Sequence, residues 1–76
     1  MLPSQFFAVQ LVRRAMSNGS VIVLMRSRAI WEEYIPELRD YNRLLQIRNP
    51  RNPSFSEKNL PEIGTIVDTI RSGGSN

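Results

Sequence analysis

The side chains of this chain that can do chemistry are nine arginines and one lysine, set against seven carboxylates, with no cysteine and no histidine. That set is suited to gripping anions. Guanidinium forks bind carboxylates and phosphates in bidentate fashion and give up hydration more readily than an ammonium does. Without thiols or imidazoles there are no disulfides, no ordinary zinc sites and no thiolate or imidazole catalysis. Glu32, Glu33 and Glu37 are the carboxylates that cluster. Residues 33 and 37 would share a helix face, where such groups read as a solvated side rather than an acid/base pair. Gly19, Gly64, Gly73 and Gly74 match neither dinucleotide-binding nor Walker spacing. No alternating Asp/Asn loop of the calcium-binding kind occurs. The chain reads as non-enzymatic, and no cofactor or metal is expected.

The arginines are unevenly placed. Arg13, Arg14, Arg26 and Arg28 give residues 1–31 a charge of +4 with no acidic residue. From Glu32 onward, five arginines and Lys58 face all seven carboxylates, leaving −1. An acid-free, arginine-using, serine-containing opening third has the composition of a mitochondrial targeting segment. It is equally the composition of an arm that lies on an anionic partner. The candidate partner-binding residues are Arg13, Arg14, Arg26, Arg28, Trp31, Arg48 and Arg51. Arg13 and Arg14 are either the wet side of a helix or a contact. Arg26 and Arg28 close an apolar run, at an edge or a partner surface. Arg48 and Arg51 lie in a segment too polar for a core, a contact or a solvated loop. Trp31 is either a core anchor or an interface hot spot, since Trp and Arg are both enriched in hot spots.

The elements that must position these groups follow from periodicity. Residues 3–17 read as a basic amphipathic helix, with Phe7, Leu11, Val12, Ala15 and Met16 on one face. Asn18-Gly19 then offers a left-handed stop, or alternatively a hairpin tip. Residues 20–26, a β-branched run, read as a single strand apolar on both faces. Such a strand cannot satisfy its own backbone or cover both faces, so it calls for a neighbour. Residues 29–47 carry the stripe Ile30, Tyr34, Leu38, Tyr41 and Leu45 and read as helical, with a kink or a break near residues 32–36 and the regular helix restarting at Pro36. The tandem Arg48-Asn49-Pro50 and Arg51-Asn52-Pro53 predicts an extended linker over 48–58. Residues 60–72 form a last helix, started by an Asn59/Glu62 capping box and Pro61. Residues 73–76 are a flexible tail.

The expected fold is α+β: one small domain over 1–76, three short helices and one strand, not an independent compact fold. The apolar content of 41% is ordinary for a folded protein and argues against full disorder. The longest apolar run, residues 21–25, is far short of the roughly 20 residues of a membrane span.

The order VIVLMRS…IWEEY…FSEKNL…IVDTIRSG, about half the chain, is similar to the second half of a small thioredoxin-like family. That family is shared by a respiratory complex I accessory subunit and some mitochondrial ribosomal proteins. The resemblance implies a mitochondrial location and assigns no residue a role. The functional expectation is a non-catalytic accessory or structural subunit of a larger mitochondrial assembly, such as a respiratory-chain complex. It would lie in the matrix or on the matrix side of the inner membrane, with other protein subunits as partners. The alternative is an RNA-binding protein of a mitochondrial ribosome. Peripheral membrane contact through the first helix is a third use of the same charge.

Overall fold

Three of the five prolines open helices. Pro3, Pro36 and Pro61 each occupy one of the first two helical positions, where a missing N–H costs nothing and a fixed φ favours the turn. In the computed structural model, which describes residues 2–19, 21–52 and 55–72, the chain forms five helices. They are α1 (Pro3–Ser17), α2 (Val21–Arg26), α3 (Arg28–Tyr34), α4 (Pro36–Arg48) and α5 (Leu60–Arg71), with a 3₁₀ turn over Glu57–Asn59 before the last. Glu37 and Glu62 stand in first turns, and Arg48 and Arg71 in last turns, which complements the dipoles of α4 and α5.

The fold is all-helical rather than α+β. The expected strand over 20–26 is helix α2 over its described part, Val21–Arg26, and no strand occurs among the described residues. The physical reason is the one that made a strand awkward. A single strand leaves its N–H and C=O groups without partners, whereas a helix pairs them within itself. β-Propensity reflects fit to a pleated neighbour and yields where none exists. Gly19, at φ +63°, makes the turn that folds α2 back toward α1.

Of the kink or break expected near residues 32–36, the structure has the break, and the helix restarts at Pro36. Ile35, at φ −128° and ψ 79°, stands outside both α3 and α4, because the residue before a proline is pushed out of the helical region. Its N–H still closes α3 by donating to the Trp31 carbonyl at 2.8 Å. The expected linker over 48–58 is not extended throughout. Asn49 N–H donates to Leu45 O and Asn52 N–H to Asn49 O, so the chain turns back at the end of α4. The expected cap on α5 also differs. The Asn59 carboxamide oxygen accepts from Ser56 N–H (2.8 Å) and Ser56 Oγ–H (3.0 Å), clamping the 3₁₀ turn instead. Pro53, Ser54 and the expected tail 73–76 lie outside the described residues.

The core is a single cluster: Ala8, Val9, Val12 and Ala15 of α1; Leu24; Trp31; Ile35; Leu38; Phe55; Ile63 and Val67. Trp31 sits at its centre. Its indole N–H donates to the Leu24 carbonyl at 2.8 Å, and its ring stacks on Phe55 with centroids 5.4 Å apart. Phe55 in turn stacks on Tyr41 at 5.9 Å. The radius of gyration, 11.8 Å, is close to the roughly 11 Å expected of a compact chain of this length. The expectation that the chain is not compact is thereby corrected.

The buried face of α1 is rotated from the one expected. Ala8 and Val9 turn inward, while Phe7 faces out and Leu11 lies at the flank. Small and β-branched residues let α5, α3 and α2 all approach α1, which large side chains on that face would prevent. Glycine serves the same end on α5. A Cβ at Gly64 would stand 3.0 Å from the Met16 methyl.

One polar side chain is sealed in this interior. Asn42 of α4 is 0% exposed, and neither its Nδ2 nor its Oδ1 has a hydrogen-bond partner. Burying an unpaired amide costs about 1–3 kcal/mol, whereas an apolar group of similar shape incurs no such cost. Asn42→Leu should therefore raise the unfolding free energy by about 1–3 kcal/mol. Thermal and urea unfolding followed by far-UV circular dichroism tests this. A lower midpoint for the variant would show that the amide is in fact satisfied.

Candidate functional site

The seven residues singled out for partner contact sort into two groups by what they touch. Trp31 is wholly internal, bonded to Leu24 and stacked on Phe55, so it presents no surface. Arg13, on the flank of α1, reaches Asp68 of α5 at 2.8 Å and ties the two helices together. Arg28 pairs with Glu32 one turn on, at 2.7 Å. The other four, Arg14, Arg26, Arg48 and Arg51, are exposed and make no ion pair among the described residues. The fold does not gather the seven into one patch. Arg14 lies on the outer side of α1, Arg26 ends α2, Arg48 ends α4, and Arg51 lies in the turn beyond it.

Two sites come from residues that charge counting passes over. The first is the outer side of α1. Phe6, Gln10, Arg14 and Ser17 fall at i, i+4, i+8 and i+11, opposite the buried Ala8, Val12 and Ala15. Phe7 flanks that line. Phe6 is 52% exposed and Phe7 61% exposed. A shallow depression of ≈ 490 Å³ runs along this side, lined by Phe7, Gln10, Leu11, Arg13, Arg14 and Ser17. Neighbouring aromatic side chains in water beside an unpaired guanidinium have the composition of an interface hot spot. The signal was present in the sequence, since α1 carries apolar residues on more sides than one core can use.

The second lies where the Arg-Asn-Pro repeat folds back. Arg48, Asn49 and Asn52 face Ser56, Lys58 and Asn59 across a small pocket of ≈ 200 Å³, with Leu45 as its apolar wall. Asn59 is held by Ser56, whose N–H and Oγ–H both donate to its carboxamide oxygen. Burial pushes the Tyr41 hydroxyl above its ordinary pKa, and the charge of Glu62 adds to the rise. The Asn59 hydrogen bond and the charge of Arg48 oppose it.

Among the described residues, no group of three or more acidic side chains is placed to hold a metal ion, and no helix is long and apolar enough to cross a membrane.

Two predictions follow from this geometry. Replacing Arg14, Arg26 or Arg51 with Gln should shift the unfolding free energy by less than about 0.5 kcal/mol. Trp31→Ala should cost about 3–5 kcal/mol. Chemical denaturation of the set decides it, and a large loss from any of the three arginine variants would place that arginine in the fold. Because the folded state favours protonated Tyr41, its contribution to stability is complete below the ordinary phenol pKa of about 10 and is lost as pH rises through the higher folded value. As pH rises above about 10, the wild type should thus lose stability faster than Tyr41→Phe. Parallel pH profiles for the two would contradict the shift. No family model, no curated protein and no solved structure matches this chain.

Proposed function

We propose that the chain is a non-catalytic subunit that docks onto a larger protein assembly through the outer side of α1, and that the assembly is mitochondrial. The observation that carries this reading is the pair Phe6 and Phe7, half or more exposed on a helix whose opposite side is core. Aromatic anchors beside arginine are what protein interfaces spend most of their binding energy on. The partner that fits is a protein subunit with an apolar groove and an acidic rim. The first 31 residues contain four arginines and no carboxylate to repel such a rim. The same composition supports the mitochondrial assignment. α1 supplies four core residues, so a targeting role for it is compatible only with its retention in the folded chain.

The reading as a ribosomal RNA binder has less behind it. Phe55, the aromatic nearest the arginine repeat, is buried between Trp31 and Tyr41 and offers no face to a base.

The test is a Phe6→Ser/Phe7→Ser double variant, with Ile47→Ser as a control at another exposed apolar position. All three chains should melt alike. The wild type and the control should co-migrate with a high-mass assembly on native gels of mitochondria from the source cell, and the double variant should run free. Co-migration of the double variant would sink the docking surface. Absence of the wild-type chain from mitochondria would sink the location.

A further inference from the structure

The Arg-Asn-Pro repeat has no part in docking through α1, yet Arg48, Asn49 and Asn52 of it line a pocket. We propose that this pocket binds a phosphate group, free or carried by a small molecule. Its two walls come from separate segments. Arg48, Asn49 and Asn52 stand on one side, held by the turn in which Asn49 N–H donates to Leu45 O and Asn52 N–H to Asn49 O. Lys58 stands on the other, in the 3₁₀ turn that the Ser56–Asn59 clamp closes. The lining contains two cations and no carboxylate. Neither Arg48 nor Lys58 makes an ion pair among the described residues, and the carboxamides of Asn49 and Asn52 make no hydrogen bond there. Four donor side chains thus face one space of ≈ 200 Å³ without an internal acceptor.

Charge and donor geometry select the ligand class. A guanidinium takes two oxygens of a tetrahedral oxyanion at once, an ammonium supplies a compact second charge, and neutral amides bond the remaining oxygens. A monovalent anion such as chloride uses one charge and leaves the amides unpaired. Nucleic acid fits less well than a small phosphate. Leu45 is the apolar wall, and the rings of Tyr41 and Phe55 are stacked inward, so no aromatic face is available for a base. Arg51, exposed and outside the lining, is not part of the site.

The experiment is an NMR titration of the full chain with inorganic phosphate and, separately, with a nucleoside 5′-monophosphate, at constant ionic strength set by chloride. Saturable shifts of the Asn49 and Asn52 side-chain amides are expected with both ligands and not with chloride. Arg48→Gln and Lys58→Gln should each weaken binding about tenfold or more, as the loss of a charge-assisted hydrogen bond implies. Arg51→Gln should leave binding unchanged, and the dispersed spectra of all three variants report that the fold is intact. Equal shifts in phosphate and chloride would overturn the proposal. So would binding that survives both Arg48→Gln and Lys58→Gln, or binding of single-stranded RNA weakened equally by Arg14→Gln and Arg48→Gln.

Discussion

The structure hangs on one indole. A chain of 76 residues with neither cysteine nor histidine has no covalent or metal staple available, so its elements must be tied by packing and hydrogen bonds alone. Trp31 makes two of those ties at once. Its N–H occupies the Leu24 carbonyl near the end of α2, a position where helices leave acceptors without internal partners. Ser27 Oγ–H donates to the same carbonyl at 2.9 Å, so the α2–α3 corner is fixed from two directions. The face of the ring stacks on Phe55, which belongs to the segment returning from α4, and Phe55 passes the contact to Tyr41. One side chain thereby connects α2, α3, α4 and the entry to α5. The phosphate pocket adjoins the same stack, because its Leu45 and Arg48 stand one and two turns beyond Tyr41 on α4.

That dependence explains which parts of the fold periodicity could reach. The stripe over 60–70 is a property of one helix against one core, and Ile63 and Val67 are buried as their spacing requires. The break before Pro36 is equally local, since it follows from what proline does to its neighbour. Val21-Ile22-Val23 misleads because β-branching is read as strand wherever a sheet is available, and nothing in seven residues says that none is. The helical answer shows in Ile22 and Val23. They stay exposed, Val23 at 39%, while Leu24 alone of α2 is fully buried. Phe55 is the core residue that local pattern reaches least. It lies beside a polar repeat, and only the return of the chain past α4 carries it onto Trp31.

Arginine identity was legible, and arginine role was not. Nine guanidinium groups look alike in sequence, yet Arg13 is spent on Asp68, 55 residues away, and Arg28 on Glu32, one turn away. The second pairing has a sequence signature at i, i+4. The first requires knowing that α1 and α5 lie side by side, which Gly64 and Met16 permit but do not announce. The pocket has the same character. Arg48, Asn49 and Asn52 are neighbours in sequence, but Lys58 joins them only because the chain reverses between 49 and 56. Asn42 stands on the apolar side of its helix, four residues after Leu38 and three before Leu45, so its spacing, and not its residue type, marked it as internal.

The acid-free opening third acquires a different meaning once it is folded. Composition alone treats residues 1–31 as an appendage, whether a targeting segment or an arm. In the structure α1 is the element against which α2, α3 and α5 all pack, so the segment of highest positive charge is also the scaffold. The two uses coexist because a helix has two sides. Alanine and valine at 8, 9, 12 and 15 face the core, where small side chains allow close approach, and Phe6, Phe7 and Arg14 face water. Residue type does not separate these roles, since valine is less bulky and phenylalanine more apolar than a wet surface calls for. Position around the helix separates them. A change on the inner side acts on the fold and everything built on it, whereas a change on the outer side acts on contact alone. The segment can therefore carry a recognition surface without trading away the stability of so small a core.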